Sequence, residues 1–165
     1  MKNSDKLVNK LLKKKVINFN FMNLKDKDLD VLIAVLRTSD TLERLYLNNN
    51  KITLADGGKF ADALANNRTL RILHLNSNNI GAQGAQRLAG VLKVNRTLQV
   101  LGLRHNPIGE DGAKSIADAL MSNNENSLQI IGLGNDDVEE SLIASSLVKN
   151  KYPREIYMYI NPTNL

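Results

Sequence analysis

The chain has 165 residues, a formal charge of +5 and no cysteine. That length is one domain with room for a real core. The absence of thiols excludes disulfides, thiolate metal sites and cysteine nucleophiles, and nothing points to an oxidising compartment.

The first predicted element is a capping helix within residues 1–13, "SDKLVNKLLKK", with Ser4 or Asp5 as its cap. Leu7, Val8, Leu11 and Leu12 form one face, and Lys6, Lys10, Lys13 and Lys14 lie mainly on the other side. The opening residues hold no long apolar run, so they are neither a secretory signal nor a membrane span, and a cytoplasmic protein is expected. The lysines read as the solvated side of a cap, or as a basic tip for nucleic acid or anionic membrane.

From residue 14 to residue 150 the chain repeats itself. "LERLYLNNNKI" begins at Leu42, "LRILHLNSNNI" at Leu70 and "LQVLGLRHNPI" at Leu98. A degraded copy, "LQIIGLGNDDV", begins at Leu128, and a less regular first copy starts near Lys14. The spacing is 28 residues, then 30 in the last step, where "MSNNENSL" adds a polar loop. The first half of each unit alternates as a strand does, as in Leu73-x-Leu75. The second half places apolar residues 5, 8, 9 and 12 positions after the late Ile or Leu, for instance Ala85, Leu88, Ala89 and Leu92 after Ile80. Those offsets share one helical face. Each unit is thus a strand, a turn and a helix, and only stacking buries its apolar side.

Asn50, Asn78 and Asn106 recur where the strand turns away, and a buried amide there can satisfy turn backbone as a ladder. The flanking units carry Met22 and Asp136 instead. The Asn-X-Thr sequences at Asn67 and Asn95 read as coincidental to the repeat. The turns "GAQG" and "GEDG" fit turn geometry before the helices. Over 151–165, "REIYMYINP" alternates as a closing strand that ends before Pro162.

Strand alternation sends three residues per unit outward. The first outward column is Val16, Arg44, Ile72, Val100, Ile130 and Tyr157. The second is Asn18, Tyr46, His74, Gly102, Gly132 and Tyr159. The third includes Asn20, Asn48, Asn76, Arg104 and Gly134. Ile72, Val100 and Ile130 form an aliphatic ridge where a neutral scaffold would be polar, and the two glycines are expected to leave a trough beside it. Aromatic and arginine side chains are the favoured anchors of such a face. The expected partner-binding set is therefore Arg44, Tyr46, Ile72, His74, Val100, Arg104, Ile130, Tyr157 and Tyr159.

No reaction chemistry is legible. His74 and His105 lack a third metal ligand. "ADGGK" lacks the first glycine of a phosphate loop. The carboxylates of "GNDDVEES" read as helix-start residues without calcium-loop spacing. No catalytic residue, metal or cofactor is predicted.

The L-x-x-L-x-L-x-x-N-x-I phrase, over nearly the whole chain, resembles the leucine-rich repeats of the ribonuclease-inhibitor type. That resemblance implies an α/β leucine-rich-repeat solenoid of about five units, a single domain spanning 1–165. Its shape would be a short right-handed horseshoe with a parallel sheet on the concave side and helices on the convex side. It also implies a non-enzymatic protein-binding scaffold, and since a capped solenoid exposes few strand edges, a monomer is expected. Five units behind an N-terminal helix are similar to the actin-capping carboxy-terminal domain of the tropomodulins, which implies actin or another cytoskeletal protein as partner. Ran-GTPase-activating proteins share the repeat class, but they are longer and acidic-tailed. That leaves regulation of a small GTPase as an alternative beside the basic-tip reading and a partnerless scaffold.

Overall fold

The computed structural model describes residues 3–122, 127–133 and 157–158. Its six strands are β1 (Val16–Asn18), β2 (Arg44–Tyr46), β3 (Ile72–His74), β4 (Val100–Gly102), β5 (Ile130–Gly132) and β6 (Tyr157–Met158). They form one sheet in sequence order. Every pair is parallel, and from β1 to β4 the register advances by one repeat: Val16 faces Arg44, Arg44 faces Ile72, and Ile72 faces Val100. Beyond β4, Val100 faces Ile130 and Ile130 faces Tyr157. The helices are α1 (Asn3–Leu11), α2 (Asp30–Thr38), α3 (Lys59–Asn66), α4 (Ala82–Val94) and α5 (Gly109–Ser122).

The helical periodicity predicts the helix burial well. Leu29, Leu32, Ile33 and Leu36 are buried with Ala85, Leu88, Ala89 and Leu92, and with Ala113, Ile116, Ala117 and Leu120. The strand leucines Leu45, Leu73 and Leu101 and the turn leucines Leu47, Leu75 and Leu103 join the same core. The N-terminal helix starts at Asn3, so Ser4 and Asp5 lie in its first turn rather than capping it. Leu11 enters the core while Leu7 stays exposed.

Where the strand turns, Phe21, Asn49, Ser77 and His105 take the same place in successive units with a left-handed backbone, φ between 55° and 59°, and the first unit adds Asn23 at 56°. Asparagine bears that conformation well and phenylalanine poorly. The second glycines of "GAQG" and "GEDG" lie inside helices rather than in the turns expected for them. Gly84 is needed for close approach: a Cβ there would stand 2.4 Å from the carbonyl oxygen of Thr53.

The second unit departs from the units that follow it. Its helix α3 is 8 residues against 13 in α4, and the loop before it holds left-handed Leu54, Gly57 and Gly58. Asp26, from the preceding unit, clamps this loop. Its Oδ1 accepts from the amides of Thr53 (2.8 Å) and Leu54 (3.1 Å), and its Oδ2 accepts from Ala55 N (3.0 Å) and the Thr53 hydroxyl. Burial raises the carboxyl pKa, but these bonds together outweigh it and hold Asp26 below the ordinary aspartate value.

Candidate partner-binding face

The outward columns fall where alternation places them. β1 reads exposed, buried, exposed along its three residues, and Ile17, Leu45, Leu73, Leu101 and Ile131 point inward. In the first column Val16 is 42% and Ile130 36% exposed, which is large for aliphatic side chains in a sheet. Ile72 and Val100, between them, are half-buried, and Arg44 is exposed. The register joins Ile72, Val100 and Ile130 as direct neighbours on adjacent strands. Tyr157 continues this column through its pairing with Ile130. Tyr159 and Gly134 lie outside the described residues, as do Asp136 and Pro162.

In the second column Tyr46 and His74 meet edge to face, with ring centroids 5.3 Å apart. The His74 Nδ1 also lies 3.4 Å from the Asn76 amide nitrogen. Burial lowers the His74 pKa, so the ring is neutral at pH 7. The expected glycine trough is not open. The Asn76 side-chain amide sits where a Cβ on Gly102 would be, 2.8 Å from its Nδ2, and the Arg104 Cγ lies 3.2 Å from the Cβ position of Gly132. Long side chains of the third column lean across the glycines and fill the space. The face is therefore a ridge beside a polar, largely level floor.

Asparagine holds this face at its rear. Asn50 Nδ2 donates to the carbonyls of Phe19 (2.9 Å) and Leu47 (2.9 Å), and its Oδ1 accepts from the amides of Met22 (3.1 Å) and Leu24 (2.9 Å). Asn78 repeats the pattern with the Leu47 and Leu75 carbonyls and the Ile52 amide. Asn106 does so with the Leu75 and Leu103 carbonyls and the Ile80 amide. All three are buried.

Two more ladders escaped the sequence reading. Asn20, Asn48 and Asn76 each accept, through Oδ1, the amide one unit further on: Asn48 N (2.7 Å), Asn76 N (2.9 Å) and Arg104 N (2.9 Å). At the start of this series the Asn20 amide is satisfied by Asn18 Oδ1 within its own strand (3.0 Å). The third ladder is the pair of Asn-X-Thr asparagines. Asn67 Nδ2 donates to Leu36 O (2.8 Å), and Asn95 Nδ2 donates to Leu64 O (2.8 Å). Their oxygens accept the amides of Thr69 and Leu70, and of Thr97 and Leu98. At 4% and 2% exposure, they are repeat residues and not coincidences. Their recurrence every 28 residues was the available signal.

Among the described residues no group of three or more His, Cys, Asp or Glu could hold a metal ion. No described helix is long and apolar enough to cross a membrane. The face offers apolar contact, hydrogen bonds and guanidinium charge.

Comparison with known proteins agrees with this architecture. The family pattern described as "Leucine Rich repeat" matches residues 66–89 and 94–117. No curated protein sequence matches. Among solved structures, "Leiomodin-1 Actin-Binding Site 2 (ABS2)" superposes with a TM-score of 0.72 at 21% identity, covering 90% of this chain and 87% of that one. The tropomodulin C-terminal domain of Caenorhabditis elegans gives 0.70 at 18% identity, with 90% and 93% covered. The structure of the Chaetomium Mex67:Mtr2 subunits gives 0.52 at 20% identity, with 88% and 99% covered. The chain is an α/β leucine-rich-repeat solenoid whose layout is like that of the tropomodulin C-terminal domain.

Proposed function

We propose that this chain is a non-enzymatic, monomeric and cytoplasmic interaction module that takes a protein partner on the outer face of its sheet. The observation that carries this reading is the in-register ridge of Ile72, Val100 and Ile130, prolonged by Tyr157 in the backbone register. A sheet face that only needed solvation would not hold three successive β-branched aliphatics outward. Arg44, Tyr46, His74 and Arg104 border the ridge and supply polar and aromatic contacts. Tyr159 belongs to the same proposed set by alternation. Actin or another cytoskeletal protein is the partner we favour. The support is the similarity to one structure titled as an actin-binding site and to a tropomodulin domain.

The test is binding of purified actin to wild type and to Ile72→Glu/Ile130→Glu. Loss of binding with thermal unfolding nearly unchanged, within about 0.5 kcal/mol for solvent-facing positions, supports the reading. Unchanged binding moves the site off this face. A large loss of stability shows instead that the ridge is core.

A further inference from the structure

The net positive charge is unevenly spread over the two long edges of the solenoid. The connections that run from a helix into the next strand carry, among the described residues, six basic side chains against two acidic ones. The basic ones are Lys13, Lys14, Lys15, Arg68, Arg71 and Arg96. The connections that leave the strands for the next helix carry, among the described residues, four basic and three acidic side chains. All six cations of the first edge are exposed.

The edge is also ordered. Its backbone is stitched from unit to unit: Arg71 N donates to Glu43 O (2.9 Å) and Gln99 N to Arg71 O (2.8 Å). Thr41, Thr69 and Thr97 hydroxyls donate to carbonyls of the unit before. Arg68 and Arg96 occupy the same position in successive units, just after α3 and α4. For Lys13, Lys14, Lys15, Arg68 and Arg71, intramolecular pairing removes little of the charge. Lys15 pairs with Glu43 at 3.6 Å. Arg68 places one Nη on the Ala65 carbonyl at the end of α3, as a cation at a helix C-terminus does. Among the described residues Lys13, Lys14 and Arg71 have no ion-pair partner.

We propose that this helix-to-strand edge docks an acidic polypeptide segment. Lys15, Arg71 and Gln99 each stand one residue before a member of the aliphatic column, namely Val16, Ile72 and Val100. An occupant that covers both must carry anions and apolar groups side by side, as a chain of Asp or Glu mixed with aliphatics does. A nucleic acid would meet the charge but would find no aromatic side chain on the described part of this edge for its bases to stack on. The apolar half of this inference rests on the proposed concave-face reading; the electrostatic half stands alone.

An oligoglutamate peptide, which has no apolar group, probes the edge separately. With the full chain at low salt it is expected to bind, and to weaken as salt rises, because the Debye length shrinks to about 8 Å at 0.15 M. Lys14→Glu/Arg71→Glu/Arg96→Glu should lower the affinity about tenfold or more. Lys25→Glu/Lys27→Glu/Lys51→Glu, on the other edge, should change it little. If the reversal does not fold by circular dichroism, Lys14→Gln/Arg71→Gln/Arg96→Gln replaces it, with a smaller loss expected. The proposal is overturned by no binding to wild type, or by equal losses in the two triple variants. It is overturned too by tighter binding of a single-stranded oligonucleotide or of phosphatidylserine vesicles. Ile72→Ser/Ile130→Ser should leave oligoglutamate binding intact, so failure of the ridge and failure of the edge give different results.

Discussion

The back of the sheet and its front are built from the same strands under opposite rules. Behind the sheet, the three central units repeat one another position by position: leucine at the strand centre (Leu45, Leu73, Leu101) and asparagine at the turn (Asn50, Asn78, Asn106). In front, the residue opposite Arg44 is Ile72, and the residue opposite His74 is Gly102. The rear asparagines bond to backbone of the preceding unit as well as their own, so a change in one unit is felt in two. In front, the third column also binds the next unit through Asn20, Asn48 and Asn76, but the first two columns make few such bonds and can vary at small energetic cost. Stability and recognition are thereby separable in this fold, and substitutions can show how far.

The largest effect is expected behind the sheet. Asn78→Ala leaves the buried Ile52 amide without its acceptor and removes one of two amide donors from each of the Leu47 and Leu75 carbonyls, which keep Asn50 and Asn106. Chemical denaturation should show a loss of about 2 kcal/mol, since a buried unsatisfied amide costs about 1–3 kcal/mol. A loss below the surface range would mean that the ladder is not needed and would erase the contrast.

A medium effect is expected at Asp26, which ties the first unit to the irregular loop of the second. Asp26→Asn keeps the shape but brings an amide donor against the amide donors of the loop. It should cost about 1 kcal/mol at pH 7, discounted for the partial exposure of the carboxylate. The folded pKa lies below the unfolded value of about 3.9. The contribution of Asp26 is therefore complete above that value and is lost as the pH falls through the folded one. The wild-type stability curve should drop more steeply below pH 4 than that of the variant.

The smallest effect on folding is expected in front. The His74 pKa is depressed by burial beside Tyr46 and Asn76. The unfolded chain therefore binds the proton first, and stability should decline modestly as the pH falls from 7 through about 6.5 towards the folded value. His74→Gln should remove that part of the decline and leave stability at pH 7 almost unchanged. A large loss at pH 7 would place His74 with the rear residues.

Much of this contrast is readable in the chain itself. Periods of two and of 3.6 inside a period of 28 give the strands, the helices and their parallel register, because each rests on burial alone. The ladder of Asn50, Asn78 and Asn106 is readable because an amide in the middle of an apolar phrase has few other uses. Asn20, Asn48 and Asn76 recur just as regularly, but a polar residue at an outward position looks like ordinary surface. Their bonds to the next unit emerge only when the units are stacked. Asn67 and Asn95 were masked by the familiarity of Asn-X-Thr. The glycine trough fails for another reason: alternation says which way Cβ points, not how far Asn76 and Arg104 lean towards a neighbouring strand. The basic edge was unreadable as a surface because its charges are scattered one or two per unit, while the lysines before Val16 are contiguous and draw attention to the N-terminal helix.

The buried Asn-X-Thr asparagines bear on how the protein can be made. In the folded chain the Asn67 and Asn95 amide nitrogens are donating to carbonyls of the preceding unit. An oligosaccharyltransferase, however, meets a chain before it folds. A glycan joined to either nitrogen would remove one of its donor hydrogens and set a branched sugar where Leu36 or Leu64 must approach. Routing this sequence through a glycosylating secretory host would divide the product into unmodified molecules that fold and modified ones that cannot close the stack. Production in a host without that enzyme yields one population.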